Sequence, residues 1–467
     1  MTTVSERDAW RALTALVIGF FMILVDQTIV AVATEAFVTQ LGATTNQVIW
    51  VTSAYLLAYV VPLLFTGRLG DQIGPKRVSI AGLVLFTAAS LWCGLAGSVD
   101  ELIVARVAQG SGAALLTPQS LSVITRVFAP HRRGAAMGTW GAVAGIASVV
   151  GPVAGGLIVD SLGWRWIFFV NIPFGVLAVV LVGLWVPRLD THRHSYDLAG
   201  IALSALSLFL LVFGIQQGET HGWGATTIAL IAGGVAGLAA FVWWQSRVRT
   251  EPLVPLRLFR DRNFTLGNIA VSSIGFVTAG TMVPFMFYLQ GVRGQSPTES
   301  GLMLLPMALV AGVLAPVVGR LADRVDPRLL TGIGYSSYAV ALAWVALIIG
   351  PETPVALLLL PIGLMGVANG CVWAPTSSTA MRRLDLASAG AGSGVYNTTR
   401  QVGAVLGSAA IGALMQSRMA ATGDVGQGIA DAMWLPAAVV LLGGLATMAF
   451  RTGEQSGDPG RAARRRP

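Results

Sequence analysis

One acid, Asp26, falls near the middle of an apolar stretch, and two arginines, Arg106 and Arg400, lie inside others. A charge in a hydrocarbon interior is costly unless it is paired or hydrated, so each is a candidate for function by placement alone. Burial disfavours a carboxylate and a nearby cation favours it. An acid at that depth can therefore take up and release a proton as its surroundings change, which makes Asp26 the candidate proton carrier. Arg106 is its candidate counter-charge; the alternative is a permanent structural ion pair. Glu35 reads either as a solvated rim group or as a second proton relay. Asn397, Arg400 and Gln401 are spaced i, i+3, i+4 and share one helical face. Arg400 either lines a cavity or anchors backbone carbonyls.

Other chemistries are excluded by what the chain lacks. Lys76 is its one lysine and lies between Pro75 and Arg77, so no Walker A loop is encoded. No apolar stretch offers a lysine for a Schiff base. Cys93 and Cys371 sit in separate apolar stretches, and His131, His192, His194 and His221 show no zinc-ligand spacing, so neither a disulfide framework nor a metal site is expected. An enzyme is not expected either. Uphill work would draw on an ion gradient, with no cofactor.

The elements that must position these residues follow from composition. The 467 residues are 54% hydrophobic and 11% charged, with mean hydropathy +0.71. Average soluble chains carry about 25% charged residues, so the chain is expected to be an all-α polytopic membrane protein. About 20 apolar residues cross a bilayer. On that measure spans fall near 12–36, 47–67, 78–98, 102–125, 134–159, 165–187, 198–217, 225–245, 264–290, 299–319, 329–349, 354–374, 389–415 and 431–450, about fourteen in all. The first is too long for a signal-peptide core and carries Asp26, so it is read as retained. The net charge of +8 does not point to nucleic acid, because the basic residues punctuate apolar stretches instead of forming one face. They concentrate in alternate connections and in the Arg-rich tail, which places both termini in the cytoplasm under the positive-inside rule. The Trp164–Trp166 pair reads as part of an interfacial aromatic belt.

Residues 67–76, GRLGDQIGPK, recur as GRLADRVDPR at 319–328. The copies are eight spans apart where two six-helix halves would put them six apart. The expected organisation is a six-helix bundle over 1–187, two inserted helices with linkers over 188–263, a second six-helix bundle over 264–450, and a cytoplasmic tail over 451–467.

Five motifs carry a resemblance. GRLGDQIGPKRV (67–78) meets every fixed position of G-x-L-x-D-x-x-G-x-K/R. GPVAGG (151–156) is a Gly-Pro-Gly run inside a helix, with Ala147 where the motif has a further Gly. LVDQTIVAVA (24–33) follows D-x-T-I-V-N-V-A-L-P at Asp26, Thr28, Ile29, Val30, Val32 and Ala33, and departs at Ala31, Thr34 and Glu35. RVAQGSGAALLTP (106–118) and SGVYNTTRQVGAVLG (393–407) complete the set. With these the chain resembles the major facilitator superfamily, and more narrowly its fourteen-span drug–proton antiporter branch.

The resemblance implies a conformational latch at Gly67, Asp71, Gly74, Lys76 and Arg77 with Asp323 in the second copy, in which Asp71 bonds a helix N-terminus or an Arg across the two halves. It implies a helix-packing motif at Gly151, Pro152, Gly155 and Gly156 that favours antiport over symport. Candidate substrate-cavity residues are Tyr55, Tyr59, Gln109, Trp140, Met286, Asn397, Arg400 and Gln401, with Phe285, Tyr288 and Trp373 as further aromatic candidates. The expected function is export of small lipophilic compounds, drugs or secondary metabolites, in exchange for protons from the inner cell membrane. Export or flipping of envelope lipids is the alternative, and a nutrient symporter a more distant one. The expected partners are the substrate, protons and the bilayer, without nucleic acid; oligomeric state is not legible.

Overall fold

The computed structural model describes residues 5–128, 132–189, 191, 197–218, 221–248, 252–322, 325–350, 352–384 and 389–451. Among them every regular element is helical. In chain order these are α1 (Glu6–Val32), α2 (Thr34–Leu41), α3 (Thr45–Ile73), α4 (Pro75–Leu95), α5 (Val99–Val127), α6 (Arg133–Leu162), α7 (Trp166–Phe169), α8 (Asn171–Trp185) and α9 (Leu198–Gln216). Then follow α10 (Ala225–Arg247), α11 (Arg262–Met286), α12 (Pro297–Leu302), α13 (Leu305–Leu321), α14 (Pro327–Ile348), α15 (Val355–Met381), α16 (Ala389–Thr422), α17 (Val425–Ala432) and α18 (Trp434–Met448). Helices dominate because a backbone in lipid must satisfy its own hydrogen bonds.

Among the described residues eleven helical stretches are long and apolar enough to cross a membrane, against the fourteen the sequence leads one to expect. The other three expected spans correspond to α5, α6 and α16. Two of them are diluted by polar residues inside the helix, Arg106 and Gln109 in α5 and Asn397, Arg400 and Gln401 in α16. Several expected single spans are broken near the end of the molecule away from the chain termini. Ala33 separates α1 from α2, Val170 separates α7 from α8, and α11 runs into a π-helical turn at Phe287–Val292.

Local sequence sets the helix starts. Thr44 and Gln47 form a reciprocal capping box at α3, and Ser296 and Glu299 form another at α12. Ser5, Ser98 and Asp261 each accept a hydrogen bond from a first-turn N–H of α1, α5 and α11. Gly74 ends α3 at φ +97°, in the region that favours glycine, and Pro75 opens α4.

Helices α1–α8 pack on one another, chiefly α3 and α4 on α5, α4 on α8, and α1 on α5, α6 and α8. Helices α11–α18 do likewise, with α11 against α16 and α18, and α15 against α13 and α14. The groups meet where α3 touches α16 and where α6 touches α12. Helix α9 pairs with α10 and also rests on α3 and α16, whereas α10 buries few side chains.

Candidate functional site

Asp26 is sealed inside the first helix group, and its carboxylate accepts hydrogen bonds from three side chains. The Arg106 guanidinium donates to Oδ2 at 2.5 Å, while the Gln109 and Asn171 amides donate to Oδ1 at 2.8 and 2.9 Å. Gln109 also donates to the Ser90 hydroxyl at 2.8 Å, and its carbonyl accepts from Arg106 at 2.5 Å and from the Cys93 thiol at 3.6 Å. Arg106 donates further to the Val51 carbonyl at 3.2 Å and lies 4.0 Å over the centre of the Tyr55 ring. Asp26, Ser90, Arg106, Gln109, Asn171 and Tyr55 are all at most 2% exposed.

This is a nearly saturated polar network tying α1, α3, α4, α5 and α8 at one point. Such networks hold only when their members are partnered. Removing one partner of a buried ion pair costs about 3–5 kcal/mol, because the other charge is left uncompensated. Asp26 and Arg106 are thus in contact, as the sequence anticipates, and Gln109 belongs to this network instead of lining a cavity. Sequence reasoning missed Ser90 and Asn171. Both are polar residues inside apolar stretches, a signal that a search confined to ionisable groups passes over.

Two residues beyond Asp26, α1 meets the Gly-Pro motif of α6. A Cβ on Gly151 would collide with the Thr28 side chain, and one on Gly155 would stand 2.7 Å from Ile29 Cγ1. The other face of the same motif meets the second helix group. Gly156 lies against the backbone of Pro297 and Thr298, and the Pro152 carbonyl lies against Gly301. Glycine lets these backbones approach. Beside this contact Asp160 accepts from the Thr298 N–H at 2.9 Å. Nearby, Gln290 donates to the Val32 carbonyl at 2.8 Å and accepts from the Glu35 N–H at 3.4 Å. Glu35 is partly buried at this seam between the groups, with a carboxylate oxygen close to Gly291. It is not a fully solvated rim residue.

In the 67–78 segment, at the end of α3, Asp71 forms an ion pair with Arg126 of α5, an arginine of its own helix group. Arg68 donates to the Pro252 carbonyl at 2.6 Å, tying the end of α3 to the segment after α10. Gly67 lies against Pro118, Lys76 is partly exposed and Arg77 exposed. Asp323 lies outside the described residues, as does most of the 451–467 tail.

The expected cavity residues fall in more than one place. Tyr55 lies under Arg106, and Tyr59 donates to Thr117 at 3.0 Å. Phe285, Met286 and Tyr288 are buried, Tyr288 donating to the Gly350 carbonyl at 2.9 Å. Asn397 donates to Ser393 of its own helix at 3.0 Å, Gln401 is buried, and the Arg400 guanidinium stands 6.0 Å from the centre of the Trp373 ring. The side chain of Trp140 lies outside the described residues. A cavity of about 1480 Å³ opens instead between α3, α5 and α9, lined by Trp50, Leu57, Phe209 and Phe213 with Gln47 and Asp100 at one end. Trp164 is 1% exposed and packs edge-on against Phe37, so Trp166 alone of that pair is placed for an interface.

Residues 16–408 match the family model for the Major Facilitator Superfamily, and the chain belongs to that family. It is 47% identical to the uncharacterized MFS-type transporter Rv1250 of Mycobacterium tuberculosis over 468 residues, which cover 95% of this chain and 81% of that protein. It is 35% identical to the tetracenomycin C resistance and export protein of Streptomyces glaucescens, covering 89% and 77% of the two chains. Its fold resembles that of a D-xylose–proton symporter, with TM-score 0.67, 14% identity, and 94% and 97% of the two chains covered. The molecule is a multi-pass membrane transporter with drug-exporting relatives.

Proposed function

We propose that the protein exports small lipophilic compounds in exchange for protons by alternating access, as a fourteen-span antiporter built of six, two and six helices. In this reading α5, α6 and α16 are also spans. Both termini are cytoplasmic, the site is the cell membrane, and the proton gradient is the energy source without a cofactor. One charge crossing 100 mV is worth about 2.3 kcal/mol.

The observation that carries the reading is the linkage along α1. Asp26 is tied to Arg106, Gln109 and Asn171, and two residues later Thr28 and Ile29 seat on the α6 motif whose other face contacts α12. A proton on Asp26 would remove the charge that pairs with Arg106 and take one oxygen out of acceptor duty. The network must then rearrange where α1, α3 and α5 meet. A small shift of α1 reaches the seam through Thr28 and Ile29 because the glycine contacts leave no slack. The groups touch through Gly156, Asp160 and Gln290 at the end away from the termini, so a shift of α1 bears directly on that contact. The export direction is supported by the relative named for tetracenomycin C resistance and export.

Energised inverted membrane vesicles test this. They should accumulate a tetracycline-like fluorophore only when a pH gradient is present, and nigericin should abolish accumulation. Accumulation that survives nigericin but not valinomycin would refute proton exchange. Export of lipids is the second reading, favoured by the apolar cavity beside α9. It predicts translocation of a fluorescent phospholipid in proteoliposomes.

A further inference from the structure

The two intramembrane arginines differ in one respect. Arg106 has Asp26, whereas no ion pair involves Arg400 among the described residues. The second half offers no acid in the middle of an apolar stretch to supply one, since the acids after residue 263 are Glu299, Asp323, Asp326, Glu352, Asp385, Asp424, Asp431, Glu454 and Asp458, all at the edges of apolar stretches or outside them in the sequence. Arg400 is partly buried in α16, with Trp373 of α15 beside it and Tyr59 of α3 within electrostatic reach from the other helix group. The aromatic ring offsets part of the cost of a buried cation. It does not neutralise it.

Two further groups near Arg400 are unpartnered. Tyr396, one turn earlier on the same helical face, has a buried hydroxyl without a hydrogen-bond partner among the described residues, and its side chain is 7% exposed. Gln401, 2% exposed, has a side-chain amide nitrogen in the same condition. Arg400, Tyr396 and Gln401 of α16 thus carry hydrogen-bond donors with no protein acceptor among the described residues, and Arg400 lies toward Tyr59 of the other helix group. Leaving such groups unmet is expensive.

We propose that Arg400 receives an acidic group of the transported compound, a carboxylate, phenolate or phosphate. The guanidinium offers it paired hydrogen bonds and Tyr396 a further donor, while Trp373 contacts the apolar body. The inference rests on the export reading and narrows it from lipophilic compounds in general to amphiphilic acids. Lipophilic cations are repelled at this point.

The test measures binding, which needs no gradient and so is independent of the vesicle experiment above. Purified full-length protein in phosphatidylcholine nanodiscs is titrated with fluorescein, a dianion, and with ethidium, a cation, by fluorescence polarisation. Wild type should bind fluorescein. Arg400→Gln should weaken that binding by about tenfold or more, as expected for losing a charge-assisted hydrogen bond, and Arg400→Lys by less, with any ethidium binding unchanged or strengthened. Tyr396→Phe, a milder change, should weaken fluorescein severalfold, which keeps the test open if Arg400→Gln fails to fold. Equal weakening of both probes, unchanged fluorescein binding in both variants, or a wild type that binds ethidium and not fluorescein would overturn the proposal. Repeating the titration with an equal share of phosphatidylglycerol separates two sources of the acid. Competition that depends on Arg400 assigns the site to a lipid headgroup phosphate, and its absence assigns it to a soluble acid.

Discussion

Asp26 and Arg106 are the pair on which the account turns, and their coupling has an energetic signature. Asp26→Asn leaves the Arg106 guanidinium, 1% exposed, without its counter-charge. It should destabilise the solubilised protein by about 3–5 kcal/mol. The double variant Asp26→Asn, Arg106→Gln should recover much of that loss, because it removes the orphaned charge as well. Thermal unfolding of the four proteins in one detergent reads the cycle; additive losses would contradict the network. At this scale the sequence was informative for ionisable groups and poor for neutral ones. An acid or arginine inside an apolar stretch is conspicuous because its burial is costly. Ser90 and Asn171 cost little to bury once partnered, so nothing in their placement separated them from ordinary packing. The large apolar residues expected to line a cavity illustrate the converse, since Tyr55 and Met286 are apolar enough to be buried anywhere.

In the export reading proposed above, the seam between α6 and α12 is where a helix-level change becomes a change of state. Gly156 lies against the backbone of Pro297, so Gly156→Val should force the two helices apart at that end. Cysteines introduced together at Asp160 and Thr298, whose side-chain oxygen and backbone nitrogen are 2.9 Å apart, should form a disulfide readily in the parent protein. The same pair in the Gly156→Val background should cross-link much more slowly. Equal rates would mean that the motif does not hold the seam. The GPVAGG run was legible as a site of close helix approach, since glycine and proline in mid-helix have few other uses. Its double contact, α1 on one face and α12 on the other, was not, because the sequence does not say which helix lies across a groove. The break of α1 at Ala33 and the π-helical turn at Phe287 were equally hidden, as an apolar run reads the same whether its helix is continuous or interrupted.

For the whole molecule, hydropathy gave the class directly and the count only in part. Among the described residues eleven stretches are long and apolar enough to cross, and two of the others, α5 and α16, carry polar residues of the candidate site. The property that makes a transporter helix useful is the one that weakens its membrane signal. The two copies of the 67–76 pattern led to α9 and α10 as an inserted pair. The structure seats α9 through Gln216 on Ser53, at 3.1 Å, and leaves α10 largely uncovered. The central claim is that proton movement through Asp26 drives export, and proteoliposomes holding a preset pH gradient test it most directly. A lumenal pH dye is followed while fluorescein and ethidium are added in turn, for wild type and Asp26→Asn. The account predicts that substrate dissipates the gradient in wild type and not in Asp26→Asn, with the variant still binding substrate. Equal dissipation by both proteins would make Asp26 a structural ion pair and contradict the account.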